Sequence, residues 1–434
     1  SRRFCAVTPA HDALMSPPTP TTAAAVVAAL QPGMRVFVPG VSGESLAFAA
    51  ALRAHPDACA GVQFVGVHFP GINHTDYLGL HPDARQRAYF MAPSLRPGLV
   101  DGRAELVPLD YPGIFRDLSE QDDIDLLIAQ VTPPDAQGRC SLGPCCDFHP
   151  AVWARARRRV AHVNPSLPRT RSRFEVRFDA FNAVFEHAET PLVFDGGAPD
   201  EAMLRHGRRV AALIRDGDTL EFGVGKLQAA ILASLTDHRD LKVWSGMVSA
   251  PVLGLLDAGS MDRRDGSVQV GAALGDAAFY ERVGRDPAFL FRPVSDTHDV
   301  RRIAAIDRFC AVNSAVEVDL FGQVNADSIR GKLVAGVGGL TAFVAGALLS
   351  PGGRAIIALP AATDDGRYSR IVAKLSTGFT ALPRHTADYV VTEHGVAALR
   401  GLSLQARARA LIDIAAPAFR DSLAQQWAEM IQNL

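Results

Sequence analysis

The chain has 434 residues, enough for roughly two or three domains with sizeable cores, and its 48% hydrophobic and 21% charged content is that of a globular protein. A formal net charge of -2 gives no electrostatic case for nucleic acid or an anionic membrane surface. Six cysteines over this length argue against a disulfide framework, and no apolar run approaches the ~18 residues that span a bilayer.

In chain order, the opening SRRFCAV carries the two arginines of an export signal. Pro9, His11 and Asp12 then stand where an apolar core would be required, so a cytoplasmic protein is expected. Residues 26–52 read as helix, turn at Pro32-Gly33, strand, glycine-rich turn and helix. Residues 62–68, 103–108 and 126–131 are short apolar strands, and 132–138 is turn chemistry. Cys140, Cys145 and Cys146 with His149 fit no zinc spacing and are expected to be packing residues, so no metal is expected. Residues 149–159 read as a helix whose exposed face carries Arg155, Arg157, Arg158 and Arg159, and 160–163 as a strand. Residues 170–205, charged and turn-rich, are expected to connect two domains, 1–190 and 205–434.

In the second half, the apolar run Thr219 to Phe222 stops at Gly223-Val224-Gly225, and a helical pattern follows. A second strand, 241–244, is expected to end in Ser245-Gly246-Met247. The order of elements in 210–235 repeats that of 26–52. A repeat at roughly 180 residues is far too long for a solenoid and points to two similar open α/β domains. Residues 309–320 form an apolar strand carrying Asn313. Gly336-Val337-Gly338-Gly339 opens an apolar helix, 355–359 is a strand, and 362–370 is a polar loop. Residues 389–392 end a strand, Glu393-His394-Gly395 follows, and 396–399 reads as helix. The last thirty or so residues read as an amphipathic helix pair.

Neighbouring strand ends at the carboxyl edge of an open α/β sheet are where such folds bind ligands, and glycine lets backbone amides approach closely. A lone GxG is equally what an ordinary strand–turn–helix unit carries. The chain has no GxxxxGK[ST], no acidic residue suitably placed after a GxGxxG, no GxSxG and no HExxH. Its glycine-bearing strand ends offer backbone N–H groups beside Glu221 and Glu393, a pairing suited to oxyanion stabilisation with a carboxylate nucleophile or base.

Seven ordered stretches carry a resemblance: VTPPDAQGRCSLG (131–143), HVNPSLPRT (162–170), IRDGDTLEFGVG (214–225), NSAVEVDLFGQVNADS (313–328), AGVGG (335–339), SRIV (369–372) and DYVVTEHGVAALRG (388–401). Through them nearly the whole chain resembles the acetyl-CoA hydrolase/transferase family of class I coenzyme A transferases. The resemblance implies two similar α/β domains, an active site at their interface and a homodimer. It also implies an acyl-CoA substrate with no tightly bound cofactor, and a small carboxylate or other acceptor as second partner. In the family a glutamate attacks the acyl-CoA, and the matching position here is Gly246, preceded by Trp244-Ser245. The family's Asp-Phe after the glycine loop is matched by Ala342-Phe343. Asn313 and Gly338 match its oxyanion and thioester-contacting positions, with Gly223, Val224, Gly225, Gly336, Val337 and Gly339 in the matched loops. Arg367, Arg370 and Lys374 are candidate partners for the CoA phosphates.

Three readings of the substituted site stay open. Another carboxylate takes over, either Glu221, where the family usually has Gln, or Glu393 in the matched VTE-x-G motif. Alternatively, water or an amine attacks a bound thioester directly, with Glu393 as base. In the third, the chain binds an acyl-CoA without turnover. On the sequence Glu393 carries slightly more weight, because the family keeps a glutamate there.

Overall fold

The computed structural model describes residues 17–120, 124–376 and 378–433; the SRRFCAV segment lies outside them. Two eight-stranded sheets dominate. The first contains β1 (Thr19–Pro20), β2 (Arg35–Phe37), β3 (Gln63–Gly66), β4 (Arg85–Ala88), β5 (Ala104–Leu106), β6 (Ile124–Val131), β7 (Ala156–Val163) and β8 (Ala183–Glu186). Their order is β5-β4-β3-β2-β6-β7-β8-β1, with every pair parallel. The second contains β9 (Thr219–Phe222), β10 (Lys242–Ser249), β11 (Val268–Leu274), β12 (Phe289–Phe291), β13 (Phe309–Ser314), β14 (Arg354–Ala358), β15 (Tyr389–Thr392) and β16 (Gly395–Ala398). Their order is β12-β11-β10-β9-β13-β14-β15-β16, parallel except for the β15–β16 hairpin.

The two orders are the same walk. In each half a leading helix, Ala23–Ala28 or Glu201–Ala211, feeds a central strand, β2 or β9. The next three strands build outward on one side, and the following three build on the other. The repeat read between 26–52 and 210–235 therefore extends to whole sheets. Each sheet changes direction beside its central strand, between β2 and β6 and between β9 and β13, the position where open parallel sheets leave a crevice. Strands such as β6 and β11 are buried along nearly their whole length, as parallel strands covered on both faces must be, which is why they read as apolar runs without alternation.

Four local expectations are corrected. The stretch 149–159 is helical only over His149–Trp153, and Arg157, Arg158 and Arg159 belong to β7, whose pairing with β6 overrides local helix propensity. Arg159 is held there by the carbonyls of Trp153 and Ala180, both at 3.0 Å. The supposed connection 170–205 contributes β8 to the first sheet. β10 does not end before Ser245 but runs to Ser249, so Gly246 lies within a strand. Residues 396–399 are no helix, since Gly395–Ala398 returns antiparallel along β15. The terminal helix pair is present as Leu404–Ile414 and Arg420–Ile431, and the five described cysteines are buried and free. No helix among the described residues is long and apolar enough to cross a membrane.

Candidate functional site

A cavity of about 220 Å³ opens between the two halves. The first half supplies Phe69 and Tyr111. The second supplies the carboxyl ends of β9 and β13, the middle of β10, the loop 336–339, and the start of the helix Leu340–Leu349. The seam is stitched around it. Tyr111 N donates to Gly338 O (3.0 Å), Met91 N to Ala335 O (3.1 Å), and Thr341 Oγ1 to Asp110 Oδ2 (2.7 Å). Gly338 adopts φ +61°, a conformation a side chain disfavours, and this bends the loop so that its backbone lines the cavity.

Glu221 and Asn313 meet in this cavity because β9 and β13 are neighbours at the crevice of the second sheet. Register pairs Glu221 with Ala311, so Asn313 stands beyond the pair, toward the carboxyl edge. Strand alternation turns Leu220 and Phe222 the other way, into the core beneath the sheet. Glu221 is 3% exposed, and its Oε2 accepts from Asn313 Nδ2 at 2.7 Å. Burial lifts its carboxyl to about 8, against the opposing pull of the Asn313 hydrogen bond. Near neutral pH this group therefore both holds and releases a proton. Ser245 Oγ donates to Phe222 O at 2.9 Å, tying the end of β9 to the middle of β10 beside Gly246.

Of the residues singled out in the sequence, Glu221, Asn313, Gly223, Gly246, Gly336, Val337, Gly338 and Gly339 line this one cavity. Val224 and Gly225 do not, because the chain turns away there to start the helix Lys226–Ala233. Glu393 does not line it either. It follows β15, which is separated from β13 by β14, so about two strand spacings, ~10 Å, intervene. There Glu393 Oε2 accepts from Ala361 N at 2.9 Å, and Oε1 lies 3.5 Å from His394 Nε2. Arg367 pairs with Asp365 on the surface, Arg370 reaches Val316 O (3.2 Å), and Lys374 borders a separate depression with Phe321 and Glu429. None of the three cations reaches the cavity.

His298 and Tyr111 are cavity residues that carried no sequence signal. His298, just after the short helix Val294–Thr297, is 2% exposed, and burial lowers its imidazole to about 3. Tyr111 stacks on it with ring centroids 4.4 Å apart, and Phe343 lies on its other side at 4.5 Å. A histidine outside any glycine loop and an aromatic from the opposite half carry no local pattern. Among the described residues no group of three or more His, Cys, Asp or Glu is placed to hold a metal ion.

Comparison with known proteins agrees with this architecture over its length. The model of the acetyl-CoA hydrolase/transferase N-terminal domain matches residues 20–193, and that of the C-terminal domain of the same family matches 275–427. The 4-hydroxybutyrate coenzyme A transferase of Clostridium kluyveri is 32% identical over 94% of this chain and 96% of its own. The crystal structure of RipA from Yersinia pestis superposes with a TM-score of 0.88 at 27% identity, covering 95% of this chain and 97% of that one. A 4-hydroxybutyrate CoA-transferase from Porphyromonas gingivalis superposes with a TM-score of 0.76 at 28% identity, covering 96% and 98%. With both domain models matched and a relative this similar from end to end, the chain belongs to the acetyl-CoA hydrolase/transferase family.

Proposed function

We propose that this protein cleaves an acyl-CoA thioester in the cavity between its two halves, with Glu221 as the group that moves the proton. The observation that carries the reading is a buried carboxyl, poised near neutral pH and hydrogen-bonded to Asn313, in a glycine-lined crevice where residue 246 has no side chain. Ionised Glu221 takes the proton of an acceptor O–H or N–H as that oxygen or nitrogen bonds to the thioester carbonyl carbon. The C–S bond then breaks, and the proton passes to the departing CoA thiolate. Water as acceptor makes the protein a hydrolase; an alcohol or amine makes it an acyltransferase.

A second reading is favoured by the name of the Clostridium kluyveri relative. In it Glu221 attacks the thioester itself, and CoA passes to a small carboxylate. One experiment separates the two. The protein is incubated with acetyl-, butyryl- and 4-hydroxybutyryl-CoA, with and without acetate, while CoA release is followed and the protein is mass-analysed. Acetate-independent CoA release with no adduct supports the proton-transfer reading. A CoA or acyl adduct mapped to Glu221, with acetate-dependent exchange, supports the second. Absence of both cleavage and exchange for every thioester sinks both.

The reading extends to CoA thioesters as substrates rather than held cofactors, and to a cytoplasmic homodimer. The family resemblance supports the dimer, and sedimentation at micromolar concentration tests it.

A further inference from the structure

The cavity has two unlike sides, and strand order sets them. β13, β9 and β10 are consecutive neighbours, so Asn313 and Met247 stand on strands two spacings, ~10 Å, apart. The side toward β13 carries Glu221, Asn313 and Ser314. On the β10 side Met247 and, from the first half, Phe69 are half-buried. Both pack against an apolar cluster at the seam that contains Val41, Ile72 and Leu274. Phe69 belongs to an aromatic wall: its ring centroid lies 4.6 Å from that of Phe90 and 6.3 Å from that of Tyr111. Gly336 admits the wall, since a Cβ there would collide with Phe90. The Tyr111 hydroxyl is sealed from solvent, so the ring and not the oxygen borders the cavity.

Among the described residues no lysine or arginine lines the cavity. His298 fills the slot beside Gly246, where an added Cβ would stand 3.1 Å from its ring, and burial holds the imidazole neutral. The amide start of the helix Leu340–Leu349 brings partial positive charge to the glycine loop. The thioester oxygen claims that charge as it becomes negative. A second carboxylate, carried on the acyl chain, would be buried without a cation and would repel ionised Glu221. An apolar chain meets neither penalty and is stabilised by leaving water. The volume of about 220 Å³ exceeds the roughly 150 Å³ that holds a benzene molecule in an apolar protein cavity, which leaves room for several carbons beyond the thioester.

We propose that this site selects acyl-CoAs whose acyl chain is apolar, longer than acetyl and free of a second carboxylate, with Phe69 and Met247 as specificity-determining residues. The inference rests on the acyl-CoA reading above and adds the class of acyl group to it.

The test compares acetyl-, butyryl- and succinyl-CoA on the full chain, by kcat/KM of CoA release and by calorimetric affinity. Butyryl and succinyl have the same chain length and differ by a methyl against a carboxylate. The expected kcat/KM rises roughly 10-fold or more from acetyl- to butyryl-CoA and falls roughly 100-fold or more from butyryl- to succinyl-CoA. Phe69→Lys places an ammonium on the apolar side and narrows the butyryl-to-succinyl ratio about 10-fold or more, while Phe69→Leu keeps it. A merely structural role for Phe69 would lower all three substrates together. Thermal melting checks both variants, and Met247→Lys takes the place of Phe69→Lys if that variant does not fold. Equal use of acetyl- and butyryl-CoA, succinyl-CoA within about 10-fold of butyryl-CoA, or an unmoved ratio in the folded lysine variant overturns this inference and leaves thioester cleavage standing. If the wild type cleaves none of the three, the cleavage reading falls, and affinity decides the inference: butyryl-CoA bound about 10-fold or more tighter than succinyl-CoA sustains it, and equal affinity overturns it.

Discussion

Asn313 Nδ2 donates to Glu221 Oε2 at 2.7 Å across two strands, ninety-two residues apart in sequence, that are adjacent only because the second sheet reverses its direction of growth between them. The hydrogen bond favours the ionised carboxylate, while burial favours the neutral acid, and burial wins. As a proton acceptor Glu221 works ionised, so CoA release from a thioester is expected to rise with pH through about 8. Asn313→Ala removes the one hydrogen bond that favours the charged form, so the midpoint moves to higher pH and the rate at pH 7 falls. A pH–rate profile of kcat/KM for both proteins checks this; an unmoved midpoint contradicts it.

The same carboxyl leaves a mark on stability. The folded state holds its proton up to about 8, well above the unfolded value near 4.3. Between those values the folded chain binds more protons than the unfolded one, so stability falls as pH rises. This contribution is fully present below about 4.3 and lost as pH passes about 8. Asp147, also raised to about 8 by burial, acts with the same sign, so the informative quantity is a difference. Glu221→Gln is expected to lose less Tm than the wild type between pH 6 and 9. Parallel Tm curves would show that Glu221 is not held protonated.

Crowding at position 246 is measurable as well. With His298 3.1 Å from the added carbon, Gly246→Ala is expected to cost about 1–3 kcal/mol, the usual range for overpacking, although alanine is ordinarily at home in a strand interior. In a His298→Ala background most of that cost disappears. Urea unfolding of the four proteins gives the coupling, and additive effects would mean that the imidazole does not occupy the slot.

At the amino ends of the strands that carry the site, Arg354 pairs with Asp218, both nearly sealed from solvent. Asp218 precedes β9 and Arg354 opens β14, so the pair fastens the strands on either side of β13. Arg354→Ala leaves a buried carboxylate without its partner and is expected to cost roughly 3–5 kcal/mol in urea unfolding. A loss under 1 kcal/mol would mean that water reaches Asp218.

How much of this was legible in the sequence follows from the range of each signal. The strand end at Gly223, the helix opened by Gly336–Gly339, and the doubled order of elements are local patterns, and all three were readable. The Glu221–Asn313 contact needs the sheet order, which no local period encodes, although each residue stood out singly. Glu393 was singled out by its motif, and a motif records family membership, not distance from a cavity. Its strand is two places from β13, and its Oε2 accepts from the Ala361 amide. Arg157–Arg159 misled because charges on an edge-exposed end of a parallel strand look like those on a solvated helix face. His298 was invisible because its setting comes from Gly246, Gly339 and Tyr111, which converge on it from three separate segments.

In the proposed function Glu221 performs the proton transfer in a site whose residue 246 has no side chain. The most direct measurement is CoA release by wild type and Glu221→Gln at pH 8, with CoA affinity measured in parallel by calorimetry. Glutamine keeps the size of the side chain and a partner for Asn313 but cannot take a proton. A drop in kcat of roughly 100-fold or more at unchanged CoA affinity is the predicted result. Glu221→Gln cleaving thioesters as fast as the wild type would contradict it.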